Sequence, residues 1–134
     1  MKLFISYKTE NIKKHFDDLD KINKYINKLK SDNLYFEKLI NTNKCNRFKS
    51  NYVNRWSAFL SSKETKYVLV LNKKKALGRW QSIEYCTAVK NGSEIYYIDN
   101  DVFIDILKNA LSNKMVVTEF VKAVLEKAVP KTTL

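Results

Sequence analysis

A chain of 134 residues, 45% hydrophobic and 13% aromatic, is long enough for one domain with a single core and too apolar for a disordered segment. Its net charge of +11 invites a nucleic-acid partner, but only Arg47, Arg55 and Arg79 carry the guanidinium fork suited to phosphates and bases. The lysines are spread along the chain amid abundant asparagine, as an AT-rich genome produces without selection for binding, so nucleic acid is not the expected partner. No apolar run approaches the roughly 20 residues of a membrane helix, the opening MKLFISY is too short and too quickly polar for a signal peptide, and two glycines and one proline leave little room for long linkers. Cys45 and Cys86 give neither a disulfide framework nor a metal-ligand spacing. They are expected to be free thiols in a cytoplasmic protein that uses no metal and touches no membrane.

In chain order, Lys2 to Tyr7 (KLFISY) reads as a first strand, apolar on both faces as a central strand is. Asn11 to Lys30 reads as one helix, because Ile12, Phe16, Leu19, Ile22, Ile26 and Leu29 recur every three or four positions. His15, the one histidine, has no evident Ser or Cys partner and is taken as structural. Ser31 to Asn33 breaks the helix, and Leu34 to Ile40 is a second strand, although a helix also fits there. Asn41 to Asn46 is loop, and Arg47 to Ser62 a helix whose aromatics, Trp56 among them, are at core spacing. Lys66 to Leu71 is a third strand, β-branched and continuous. Asn72 to Arg79 is a loop with three consecutive lysines, Lys73 to Lys75, which either receive phosphates or are simply solvated. Trp80 to Asn91 is a crossover helix stopped by Gly92, and Ile95 to Ile98 a fourth strand. Helices over Asp101 to Asn113 and Met115 to Val129 follow; the first turns Val102, Phe103, Ile106, Leu107, Ala110 and Leu111 inward. Pro130 ends the last helix, and 129–134 is expected to fray.

This alternation predicts an α/β fold, a small flavodoxin-like open parallel sheet with helices on both faces. Right-handed crossovers and a central first strand favour the order 2-1-3-4, with a fifth strand left open. The order then reverses between strands one and three, and ligands of open α/β sheets bind outside the carboxyl ends at such a reversal. Ser6, Tyr7, Asn72, Trp80 and Glu84 converge on that crevice.

The residues that carry these elements resemble TIR (Toll/interleukin receptor) domains. KLFISYKTEN resembles the first TIR strand, close to FISY before a polar loop. YVLVLNKKKALGRWQSIEYCTAVKNGSEIYYID resembles the later segment, in which Trp80, Glu84 and Ala88 stand at the family's spacings. The two stretches cover roughly a third of the chain, in the right order. Where many TIR domains carry Ser two residues before the Trp, this chain has Gly78, and the family's second strand and its long loop are not recognisable between Asp32 and Asn46.

The resemblance implies one TIR-like domain over 1–134, with NAD as the substrate and Glu84 as the catalytic carboxylate that assists cleavage of the N-glycosidic bond to nicotinamide. Ser6, Tyr7, Asn72, Lys73 and Trp80 would line the substrate site. It also implies self-association, or association with another TIR-containing protein in signalling. The bland readings are that Glu84 favours a helix dipole and Trp80 anchors a helix. Two alternatives use the same sheet: a TIR-like interaction or nucleotide-binding module without catalysis, and a nucleoside 2-deoxyribosyltransferase-like N-glycosidase. From the usual pattern of the latter, Glu84-Tyr-Cys-Thr-Ala88 departs at the glycine.

Overall fold

The computed structural model of the protein describes residues 2–37, 39, 58–71 and 77–131. Its elements in chain order are β1 (Leu3–Ser6), α1 (Thr9–Lys13), α2 (Leu19–Leu29), β2 (Leu34–Tyr35), β3 (Tyr67–Leu71), α3 (Arg79–Asn91), β4 (Glu94–Ile98), α4 (Asn100–Ser112), α5 (Val117–Lys127) and β5 (Val129–Pro130). A short helical run at 58–61 precedes β3.

The five strands form one sheet in the order β2-β1-β3-β4-β5. β2, β1, β3 and β4 are parallel, and only β5 runs antiparallel, on β4. The expected order 2-1-3-4 is therefore observed, with a fifth strand added, in a flavodoxin-like topology. The central strands β1 and β3 pair from Leu3↔Tyr67 to Ser6↔Val70, and the apolar character on both faces that marked them in the sequence reflects helices on both sides.

Strand alternation divides the core in two. On one face Leu3, Ile5, Leu69, Leu71 and Ile98 pack against Ile12 of α1, Ile22, Ile26 and Leu29 of α2, Phe103 and Leu107 of α4, and Phe120 and Val124 of α5. On the other, Phe4, Val68 and Val70 meet Leu60 and Ala88, with Trp80 and Tyr85 of α3 packed alongside. The connection from β1 leftward to β2 thus uses the first face, and that from β3 rightward to β4 the second, which keeps both crossovers right-handed.

Four expectations need correction. The helix predicted over 11–30 is two helices, α1 and α2, because Asp18 accepts from the backbone of Lys21 at 3.1 Å and starts a new helix. Among the described residues of the strand predicted over 34–40, only Leu34 and Tyr35 are regular. Val102 is exposed, since the buried stripe of α4 runs through Phe103, Ile104, Leu107 and Ala110. At the end of the chain, Val129 and Pro130 pair with Tyr97 and Tyr96, where a frayed tail was expected, and the Lys131 amide donates to the Ile95 carbonyl at 2.8 Å. Most of the helix predicted over 47–62, and Cys45, lie outside the described residues.

Gly92 closes α3 in the left-handed conformation, φ +74°, with nothing near its missing Cβ. Gly92→Ala is therefore expected to destabilise the fold by about 1 kcal/mol through backbone strain alone, as measured by urea unfolding; a larger loss would contradict the open space around it.

Candidate functional site

Three residues one helical face apart, Gln81, Glu84 and Ala88, turn α3 toward the sheet and are buried there. Their spacing of three and four is that of a helix face, but two of the three are polar. Gln81 meets the carboxyl ends of β1 and β3, and Glu84 that of β1. Ser6, the last residue of β1 and itself buried, donates its hydroxyl to Glu84 Oε1 at 2.8 Å. Gln81 donates from Nε2 to the Leu71 carbonyl at 2.8 Å and to the Ser6 carbonyl at 3.2 Å. Its Oε1 accepts from the backbone of Gly78 at 3.2 Å.

The pairing has a simple cause. A parallel strand that ends inside the protein leaves carbonyls that need donors, since an unpaired buried group costs about 1–3 kcal/mol. Gln81 satisfies two of them and fixes α3 against both strands at once. Glu84, one turn further on, is thereby brought against Ser6, and is only 4% exposed. Gln81→Leu keeps the volume and removes all three hydrogen bonds. It is expected to destabilise the protein by about 2 kcal/mol, measurable by chemical denaturation, whereas a loss below about 0.5 kcal/mol would mean that the carbonyls find other donors.

Gly78 stands before the first turn of α3. A Cβ built there would come 2.8 Å from Lys8 Cε and 3.1 Å from Lys8 Cγ. The stem of Lys8, which follows β1, therefore lies directly over Gly78. The missing side chain at Gly78 leaves room for that lysine.

Of the residues expected at the site, Ser6 and Glu84 are brought into contact. Trp80 is half-buried on the same face, packed on the core that contains Phe4, Val70 and Ala88. Tyr7 is not with them. It follows Ser6 in sequence and turns to the opposite face, edge-on to Phe36 at 5.4 Å, with its hydroxyl donating to the Glu37 carbonyl. Asn72 and Lys73, with the rest of the lysine loop, lie outside the described residues. His15 is half-buried in the turn between α1 and α2.

Two residues were not singled out from the sequence. Gln81 had a legible signal, a polar side chain on the buried face of the crossover helix. Glu37 had none, because its position depends on how β2 meets β1. Its side chain is 15% exposed, Oε2 accepts from the Tyr35 hydroxyl at 2.6 Å, and Lys30 Nζ lies 3.7 Å from Oε1.

Two open grooves, of about 590 and 520 Å³, lie away from these groups; the larger runs between Leu34 and the Val117–Val121–Leu125 side of α5, the smaller beside Ile95, Tyr96 and Pro130. Among the described residues no group of three or more His, Cys, Asp or Glu is placed to hold a metal ion, and no helix is long and apolar enough to cross a membrane. No protein-family model, curated protein or solved structure matches the chain.

Proposed function

We propose that this chain is a TIR-like domain that cleaves the N-glycosidic bond of NAD, with Glu84 as the working carboxylate. The observation that carries the reading is the 2.8 Å hydrogen bond from Ser6 to Glu84 at the carboxyl ends of β1 and β3, where the strand order reverses. It holds a pre-oriented, largely desolvated carboxylate at the place in this architecture where ligands bind.

The chemistry suits one carboxylate. The nicotinamide nitrogen carries positive charge in the substrate, so the electron pair of the breaking bond neutralises it and no acid is needed. Positive charge develops instead on the ribose, and a fixed negative group in a water-poor cleft stabilises it. Water then bonds to the ribose carbon and releases a proton, giving ADP-ribose and nicotinamide. Trp80 shapes the wall on the α3 side, and Lys8, whose stem lies over Gly78, supplies positive charge for the phosphates.

Incubation with NAD, with free nicotinamide followed by chromatography, tests the reading. Steady release supports it. Base exchange with deoxynucleosides in place of nicotinamide release would transfer the site to the deoxyribosyltransferase-like chemistry. A second reading, a TIR-like module that binds a nucleotide or another TIR-containing protein without cutting, is favoured by how little of Glu84 reaches solvent. A folded protein that releases no base but changes its elution volume with NAD would establish it. In either reading the proposed setting is the cytoplasm.

A further inference from the structure

The short pairing of β1 with β2 has a fixed register, Leu3↔Leu34 and Phe4↔Tyr35. The regular ladder stops at Phe4↔Tyr35; the same register carried two residues further would set Glu37 opposite Ser6. The faces agree with that continuation. Leu34 and Phe36 belong to the core on one side of the sheet, and Tyr35 lies on the other, its ring stacked on Phe4 at 4.9 Å. Glu37 follows Tyr35 by two and is joined to it by the hydroxyl-to-Oε2 bond, so it shares the face of Phe4 and Ser6. The Tyr7 hydroxyl on the Glu37 carbonyl keeps the two strand ends together beyond the regular ladder. Ser6 thus has the Glu84 carboxylate above it on α3, and the continued register turns Glu37 to the same sheet face from the segment that follows β2.

An ionised carboxylate offers about four acceptor positions. Among the described residues, that of Glu37 takes one hydrogen bond, from Tyr35, and one long ion pair, from Lys30. Acceptor capacity remains at a mostly buried position, on the sheet face that also carries the group assigned to the reaction. A sugar hydroxyl pair is the ligand chemistry that uses it.

We propose that Glu37 is a second substrate-contacting carboxylate, which accepts hydroxyls of the ribose whose bond Glu84 breaks and sets the preference for ribose over deoxyribose. The assignment rests on the NAD-cleavage reading. It is tested with wild type, Glu37→Gln and Tyr35→Phe, after thermal melts establish that each is folded. Glu37→Gln keeps an oxygen for the Tyr35 hydroxyl and removes the charge; Tyr35→Phe removes that bond and keeps the carboxylate. Where Glu37→Gln fails to fold, Glu37→Met, which also removes the charge at similar length, takes its place with the same readings.

Nicotinamide release is followed from NAD and from an analogue lacking the 2′-hydroxyl of the nicotinamide ribose. Glu37→Gln is expected to raise KM for NAD about tenfold, the effect of one charge-assisted hydrogen bond, and to flatten the preference for NAD over the analogue. Tyr35→Phe is expected to retain that preference, which separates substrate contact from a structural role. An unchanged KM and preference in Glu37→Gln overturns the role of Glu37 and leaves that of Glu84 standing. If wild type releases no nicotinamide, the cleavage reading has failed, and NAD titrated against wild type and Glu37→Gln decides the contact. About tenfold weaker binding in the variant supports it, and equal or absent binding overturns it.

Discussion

Glu84→Gln is expected to lower nicotinamide release at least about 100-fold while its melting temperature stays within a few degrees of wild type. The two side chains have nearly the same shape, and the amide oxygen still accepts from the Ser6 hydroxyl, now 2.8 Å from Oε1. Gln81 continues to hold α3 against the Leu71 and Ser6 carbonyls. What disappears is the negative charge that faces a developing cation, and removing one pre-oriented electrostatic group from an active site costs about 100- to 1,000-fold in rate. The measurement is the turnover rate at saturating NAD, read beside a thermal melt. A variant that keeps more than about a tenth of the wild-type rate would remove Glu84 from the chemistry. A variant that loses both rate and fold would instead mark Glu84 as a group whose charge the fold needs.

Phe36→Ala is expected to destabilise the protein by about 3–5 kcal/mol, the usual cost of emptying a fully buried aromatic position. Phe36 is 0% exposed and stands at the centre of an aromatic cluster. Its ring lies 5.7 Å from Phe103 of α4 and 6.2 Å from Phe120 of α5, and Tyr7 meets it edge-on. A loss of that size is a large share of the 5–15 kcal/mol that holds a small domain together. Phe36→Leu, which fills most of the volume, should cost under about 1.5 kcal/mol. Urea unfolding monitored by circular dichroism reads both. A loss near 1 kcal/mol for the alanine variant would mean that the cluster collapses around the gap. Because Phe36 joins the second strand to α4 and α5, Phe36→Ala also loosens the segment that positions Glu37.

The layering of the molecule was legible because β3, α3 and β4 carry strong local signals: a continuous β-branched run, a helix stopped by glycine, and a second short apolar run. The place of Glu84 in the helix was legible for the same reason. The break between α1 and α2 was not, since Ile12, Phe16, Leu19 and Ile22 keep a helical rhythm across it and the turn returns the same side to the core. The signal that was passed over is Asp18, a capping residue in the middle of the pattern. Tyr7 was assigned to the crevice because it adjoins Ser6 in sequence; alternation along the strand sends the two to opposite faces. Glu37 depends on register between strands, which a two-residue ladder fixes through tertiary packing and no local pattern reveals. Gly78 and Lys8 are 70 positions apart, and their contact follows from the fold alone.

The antiparallel β5 has one more consequence. Amides point alternately to the two sides of a strand, and the amide of Lys131 points inward, to the Ile95 carbonyl. The nitrogen of Pro130 therefore faces away from the sheet, and it carries no hydrogen. An outside polypeptide that tried to extend the sheet at this border would find a donor missing where growth must begin. The border is two residues long, and such short, proline-bearing margins discourage edge-to-edge polymerisation into fibrils.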